Sequence, residues 1–246
     1  TDSTDGTIVS RGSVVSFSTT GPPSATTIAA SSVAKTTATI SGTVEANGAD
    51  TTAYFCYIVS TDVGATETTS GKPDHSRDGA ILSNTPIPAV TSAISTSATR
   101  QLDLTGLTGG ATYKFQIIAT NANGTTWGSV LSFTTYADPT ATTQAASSVL
   151  ATSATLNGVV NPGGLATDVK FCYGTASDLT GCTETVATQS QLAAGTTNTA
   201  VSKALTGLTG STTYYFQVYA QNSGSAWITG GILNFTTAEV PPTPTT

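Results

Sequence analysis

The sequence predicts an all-β chain of tandem β-sandwiches, with an additional strand ahead of the first. Three observations carry that expectation: a composition rich in one β-branched residue and poor in charge, apolar alternation with a period of two, and an internal repeat that recurs with its order intact. Of 246 residues 38% are hydrophobic and only 9% are charged, against about a quarter in an ordinary globular domain. Solubility therefore rests on neutral hydroxyls and amides, and threonine makes up roughly a fifth of the chain. Threonine is stiff at χ1 and suits a pleated surface.

Residues 1–20 open the chain. Gly6-Thr-Ile-Val-Ser-Arg-Gly-Ser-Val-Val-Ser-Phe-Ser-Thr-Thr20 aligns with the stretch from Gly124 to Thr135, which closes the first full copy. Residues 1–20 thus read as an orphan last strand of a preceding or neighbouring repeat. Two accounts stay open for it. The chain is an excerpt of a longer array, or the strand pairs with an open sheet edge of a neighbouring subunit. A start at Thr1 and the lack of Met lead to the expectation that a leader has been removed or that this is an excerpt.

Two complete copies follow, residues 24–136 and 138–237. Ala25-Thr-Thr-Ile-Ala-Ala-Ser-Ser-Val33 recurs as Ala141-Thr-Thr-Gln-Ala-Ala-Ser-Ser-Val149, Phe55-Cys-Tyr57 as Phe171-Cys-Tyr173, and Leu104-Thr-Gly-Leu-Thr-Gly109 as Leu205-Thr-Gly-Leu-Thr-Gly210. Each copy ends in an apolar-Ser/Asn-Phe-Thr-Thr strand, Leu131 to Thr135 and Leu233 to Thr237. In the strand after each Leu-Thr-Gly-Leu, Tyr113, Phe115, Ile117 and Ala119 alternate with Lys114, Gln116 and Ile118. Tyr214, Phe216, Val218 and Ala220 alternate in the same way in copy two. That is the period of a half-buried strand. Asn47-Gly48, Asn123-Gly124, Asn161-Pro-Gly-Gly164 and Gly109-Gly110 supply the turns between strands. Copy one carries an insertion at about residues 71–94, and residues 238–246 form a Pro/Thr linker.

Leu-Thr-Gly-Leu followed by Thr-Tyr-x-Phe-x-hydrophobic-x-Ala-x-Asn resembles the E–F corner and F strand of fibronectin type III-like, Ig-like β-sandwich domains. The likeness is strongest to the Thr-rich repeats of prokaryotic extracellular and surface proteins. It implies a tyrosine-corner hydrogen bond from Tyr113 and Tyr214, with Leu107 and Leu208 packed beneath. Ile40 and Leu156 stand where many family members have Trp.

Cys172 and Cys182 flank a turn-like stretch. A bridge closing so short a loop contributes on the order of 3 kcal/mol in the chain-entropy model and implies an oxidising compartment. The alternative is two buried thiols. Cys56 matches Cys172 in the repeat and reads as a small buried hydrophobe.

A net charge of −6 argues against nucleic acid as a partner. No apolar run reaches the ~18 residues of a membrane helix. Chemistry is sparse. His75 is the single histidine, so a His cluster for metal or a Ser-His-Asp triad has no basis. Clustered Asp residues for a calcium loop and a phosphate-cradling Gly-rich loop are missing too. The expectation is a non-enzyme with no catalytic residue, no metal and no cofactor.

Candidates for binding remain. The insertion carries Lys72, Asp74, His75, Arg77 and Asp78; it is a recognition loop on a rigid scaffold or a solvated excursion. Trp127 and Trp227 fall at matching places in the F–G hairpins, where each stacks on a sugar, anchors a partner or covers its own sandwich edge. Asn123-Gly-Thr125 and Asn234-Phe-Thr236 are glycosylation acceptor triplets. Together these features lead to a structural subunit or segment of an extracellular filament, stalk or surface layer. Its partner would be itself, head-to-tail or laterally, or adjacent repeats, with glycan as a further partner. The alternatives are an adhesin segment that binds a carbohydrate or host protein, and passive spacer domains of a secreted enzyme.

Overall fold

The computed structural model describes residues 19–60, 81–82, 87–90 and 97–242. Residues 1–18, and with them most of the orphan strand, lie outside the described residues, as do His75, Arg77 and most of the insertion. All regular structure among the described residues is strand.

The first sandwich packs a three-stranded sheet on a four-position one. β1 (Ser24–Ser31), β2 (Ala38–Glu45) and β6 (Ala98–Leu104) form one layer in the order β1-β2-β6. In the other, β3 (Thr51–Val59) pairs with β7 (Thr112–Asn121), and β8 (Gly124–Trp127) and β9 (Leu131–Thr134) take the far edge of β7. Two short strands, β4 (Ile81–Leu82) and β5 (Ile87–Val90), pair with the other edge of β3.

The second sandwich repeats the plan. β10 (Thr140–Ser147), β11 (Ser153–Asn161) and β14 (Thr199–Thr206) form one layer. The other is β13 (Thr183–Leu192), β12 (Thr167–Gly174) and β15 (Thr213–Asn222), with β16 (Ile228–Thr229) and β17 (Leu233–Thr236) on the free edge of β15. All pairings are antiparallel, and β1 and β10 break register at the same place, after Ile28 and after Gln144. This three-on-four order, with a tyrosine after the E–F turn, is the fibronectin type III-like arrangement that the motifs imply.

The inward set of each strand fills the core, as alternation requires. Ile40, Phe55 and Phe115 are fully buried in the first sandwich and Leu156, Phe171 and Phe216 in the second. Aromatic geometry repeats as well. Tyr113 stacks on Phe133 at 5.4 Å and Phe115 meets it edge-on at 5.8 Å; Tyr214 and Phe216 meet Phe235 at 5.7 and 5.9 Å. At the corner, the Thr108 amide donates to Tyr113 Oη (2.8 Å) and the Thr209 amide to Tyr214 Oη (3.0 Å).

Threonine does more than cover the surface. Thr135 and Thr237 are buried, and each Oγ1 donates to the carbonyl of Thr108 or Thr209 (2.6 Å) while accepting from the amide of Ala111 or Thr212. Thr27 and Thr143 accept, across the layers, from the Ile117 and Val218 amides. A Cβ at Gly230 would lie 2.5 Å from the Thr143 amide, so glycine is needed where this crossing passes the hairpin.

Loss of a buried hydroxyl with two partners costs about 1–3 kcal/mol. Thr237→Val should therefore lower the urea unfolding free energy by about 2 kcal/mol. Its neighbour Thr236, whose exposed hydroxyl bonds only Thr213 Oγ1, should tolerate valine within about 0.5 kcal/mol. Equal losses in the two variants would refute the assigned role.

Candidate functional site

Two places stand out: the junction between the sandwiches and the outer face of the four-position sheets. At the junction, residues 136–138 run between sandwiches without slack. The Tyr136 amide donates to the Ala34 carbonyl (3.3 Å) and the Gly110 amide donates to the Tyr136 carbonyl (3.0 Å), tying the linker to the first sandwich. One residue later the Ala137 amide donates to Gly163 (2.8 Å), and Asn222 Nδ2 donates to the carbonyls of Ala137 (3.1 Å) and Pro162 (3.2 Å), tying it to the second. Gly163 has φ +71°, and a Cβ there would meet the Ala137 and Asp138 oxygens at 2.6 and 2.7 Å. Lys35 Nζ bridges to Asp138 at 2.7 Å. Both side chains are about two-fifths exposed, so water screens the pair to well under about 1 kcal/mol.

The same grip occurs at both outer ends. The Gly21 amide donates to Asn47, and Asn121 Nδ2 to the carbonyls of Gly21 (2.9 Å) and Ala46 (3.1 Å), the counterparts of Ala137 and Pro162. Beyond the second sandwich the Ala238 amide donates to Leu150 (3.3 Å) and the Ser211 amide to Ala238 (3.0 Å), matching Tyr136. The two entry ends therefore share one set of ties and the two exit ends share another.

On the outer face of the second sandwich the Cys172–Cys182 disulfide is formed, with Cα atoms 5.8 Å apart. Beside it Lys170 Nζ bonds Glu184 (2.7 Å) and lies 4.3 Å from the Trp227 ring centre and 5.5 Å from that of Tyr219. Gln217 Nε2 donates to the Gly230 carbonyl. On the first sandwich the same face is closed: Cys56, Gln116, Ile118 and Ile58 are buried. Cys56 is a free thiol, and Gln116 has no side-chain partner among the described residues. Burial pushes the Cys56 thiol from 9.0 up to about 11.

The two tryptophans do not match. Trp127 lies opposite Ile118; the counterpart of Ile118 is Tyr219, which lies opposite Thr229. The second hairpin is one residue longer between its Asn and the following Gly, Asn222 to Gly230 against Asn121 to Gly128. Trp227 also follows its Asn by five residues where Trp127 follows by six, so it sits two positions nearer the tip, and is 37% exposed. Asn123 and Asn234 are both exposed, the first on the F–G turn and the second on β17. Sequence reading passed over Lys170, Asn121, Asn222 and Tyr136 as functional positions. The asparagines had a signal, since Ala-x-Asn ends the same strand in both copies. No group of three metal-ligating side chains occurs among the described residues.

No protein-family model matches the chain, and no curated protein matches it. Among solved structures it is similar to the sensor domain of the anti-sigma factor RsgI4 in Pseudobacteroides cellulosolvens. The longer form is 21% identical over 44% of this chain and 97% of that one, and the shorter form 20% over 42% and 98%, each with a TM-score of 0.33. A two-domain fibronectin type III segment of chicken tenascin is 16% identical over 87% of this chain and 99% of that one, with a TM-score of 0.32.

Thiol chemistry checks this surface. The fold favours the protonated Cys56 thiol, so that contribution to stability is present below about pH 9 and is lost as pH rises through about 11. At pH 8 the native chain should resist alkylation, because the thiolate is the nucleophile. Denaturant should then release one thiol without reductant and three with it. Reduction should destabilise the second sandwich by about 3 kcal/mol, followed by Trp227 fluorescence in a Trp127→Phe background. Rapid native labelling would contradict the burial.

Proposed function

We propose that the chain is a structural segment of an extracellular filament, stalk or surface layer, in which the sandwiches act as rigid spacers and catalyse nothing. The repeated socket carries this reading. A linker bonded on both sides through main-chain groups holds neighbouring domains in a fixed relation, where free linkers leave relative motion as the default. The disulfide supports an oxidising, extracellular location. A surface with few charges lacks the repulsion that keeps chains apart, which favours self-association. Gly12-Ser-Val-Val-Ser-Phe-Ser-Thr19 closely repeats Gly128-Ser-Val-Leu-Ser-Phe-Thr-Thr135. Both described sandwiches already own the strand that this sequence matches, β9 or β17.

Two measurements test the proposal. In small-angle scattering the native chain should give one narrow distribution of interdomain distances. Asn222→Ala, which removes the side-chain bridge between the Ala137 carbonyl of the linker and the Pro162 carbonyl of the turn before β12, should broaden it, and Asn123→Ala should not. An equally broad distribution in the native chain would sink the rod reading. In electron micrographs, filaments formed by the full chain should vanish on deletion of residues 1–20; monodisperse particles from both would exclude assembly through that strand.

A further inference from the structure

Among the described residues the two sandwiches share their cores and sockets, while the outer face of the four-position sheet differs between them. In the second sandwich this face carries two rows across three strands. Gln191, Asp168 and Gln221 lie side by side in register, and Val186, Lys170 and Tyr219 form the next row. The corresponding positions in the first sandwich are Thr52, Tyr54, Ile118 and Thr120, which offer no carboxylate and no amide.

The row of amides opens onto a groove of about 590 Å³, lined by Asp168, Gln191 and Gln221, by Ser223 and Ser225 of the hairpin, and by Leu165 before β12. That volume lies within the range of small-molecule sites. Its polar groups are held in place by each other. Gln191 Nε2 donates to Asp168 Oδ1 (3.3 Å), and Gln221 Nε2 donates to the Ser225 carbonyl (3.1 Å). A carboxylate has about four acceptor sites, and each amide two donors and an acceptor, so these bonds leave most of the set to a ligand. The next row, just outside the groove, sets Lys170 and Tyr219 beside the indole of Trp227. Trp227 meets the Tyr219 ring edge-on at 6.5 Å and 75°, and Lys170 Nζ fixes one face of the indole.

We propose that this groove binds a neutral oligosaccharide. Planar acceptors and donors in one row suit the paired hydroxyls of a sugar, and an oriented indole beside them suits the C–H face of a pyranose ring. Charge selects against acidic sugars: Asp168 sits in the groove, Glu184 already neutralises Lys170, and the net charge is −6. This activity is additional to the spacer role and does not depend on it.

The test is to pass the full chain over an immobilised panel of neutral and acidic oligosaccharides, then titrate the strongest neutral binder by calorimetry. Retention of neutral sugars is expected. Gln221→Ala and Trp227→Ala should each weaken binding about tenfold with unchanged thermal midpoints, and Thr120→Ala should leave it unaffected. Amide shifts on titration should fall on Asp168, Gln191, Gln221 and the hairpin. Absence of neutral binding at millimolar sugar, binding of acidic sugars alone, or shifts confined to the first sandwich would overturn the proposal.

Discussion

Backbone that passes from one sheet of a sandwich to the other leaves the ladder it came from before it joins the next, and its amides and carbonyls need partners there as much as anywhere. In this chain threonine hydroxyls supply them. Thr27 and Thr143 receive an amide from the facing layer. Thr51 and Thr167 close the turn before β3 and β12 by donating to Ala46 and Ala49 or to Pro162 and Leu165. Thr135 and Thr237 hold the corner beneath the tyrosine. A hydroxyl that donates and accepts on a stiff β-branched side chain does this at low conformational cost.

The junction extends that logic beyond one domain. Asn121 and Asn222 end the F strand, and each Nδ2 bridges the incoming linker to the turn before β3 or β12. The linker thereby satisfies its own carbonyl and becomes part of the sandwich it enters. The short linker is tied to both sandwiches by main-chain hydrogen bonds. The exposed Lys35–Asp138 pair beside it adds little, because salt screens it.

Repetition also separates what the fold requires from what it leaves to choice. Core aromatics, corner tyrosines, bulges and sockets are the same in both copies because packing density and hydrogen-bond satisfaction constrain them. The outer sheet face carries no such constraint. One copy buries Cys56, Ile58 and Ile118 there; the other places a disulfide, a lysine over two rings and a row of amides.

Alternation, turn residues and the recurring Leu-Thr-Gly-Leu and Tyr-x-Phe motifs determined the all-β class and the inward residues, because both are local properties that a period of two makes visible. The cysteine pair was legible for the same reason, as its two residues flank a single turn. The lining of the groove was not. Asp168, Gln191 and Gln221 are far apart in sequence, and only strand register sets them in a row. The tryptophans show the same limit: hairpin length and the placement of Trp after the Asn each differ by one residue, and together they set Trp227 two positions from the counterpart of Trp127. Gln116 and Gln217 occupy one repeat position yet differ in partner, because burial of a face is decided by what lies over it. What the sequence determined by itself were the strands and their inner faces; what the tertiary structure decided was which outer side chains meet, since that depends on pairing across the sheet.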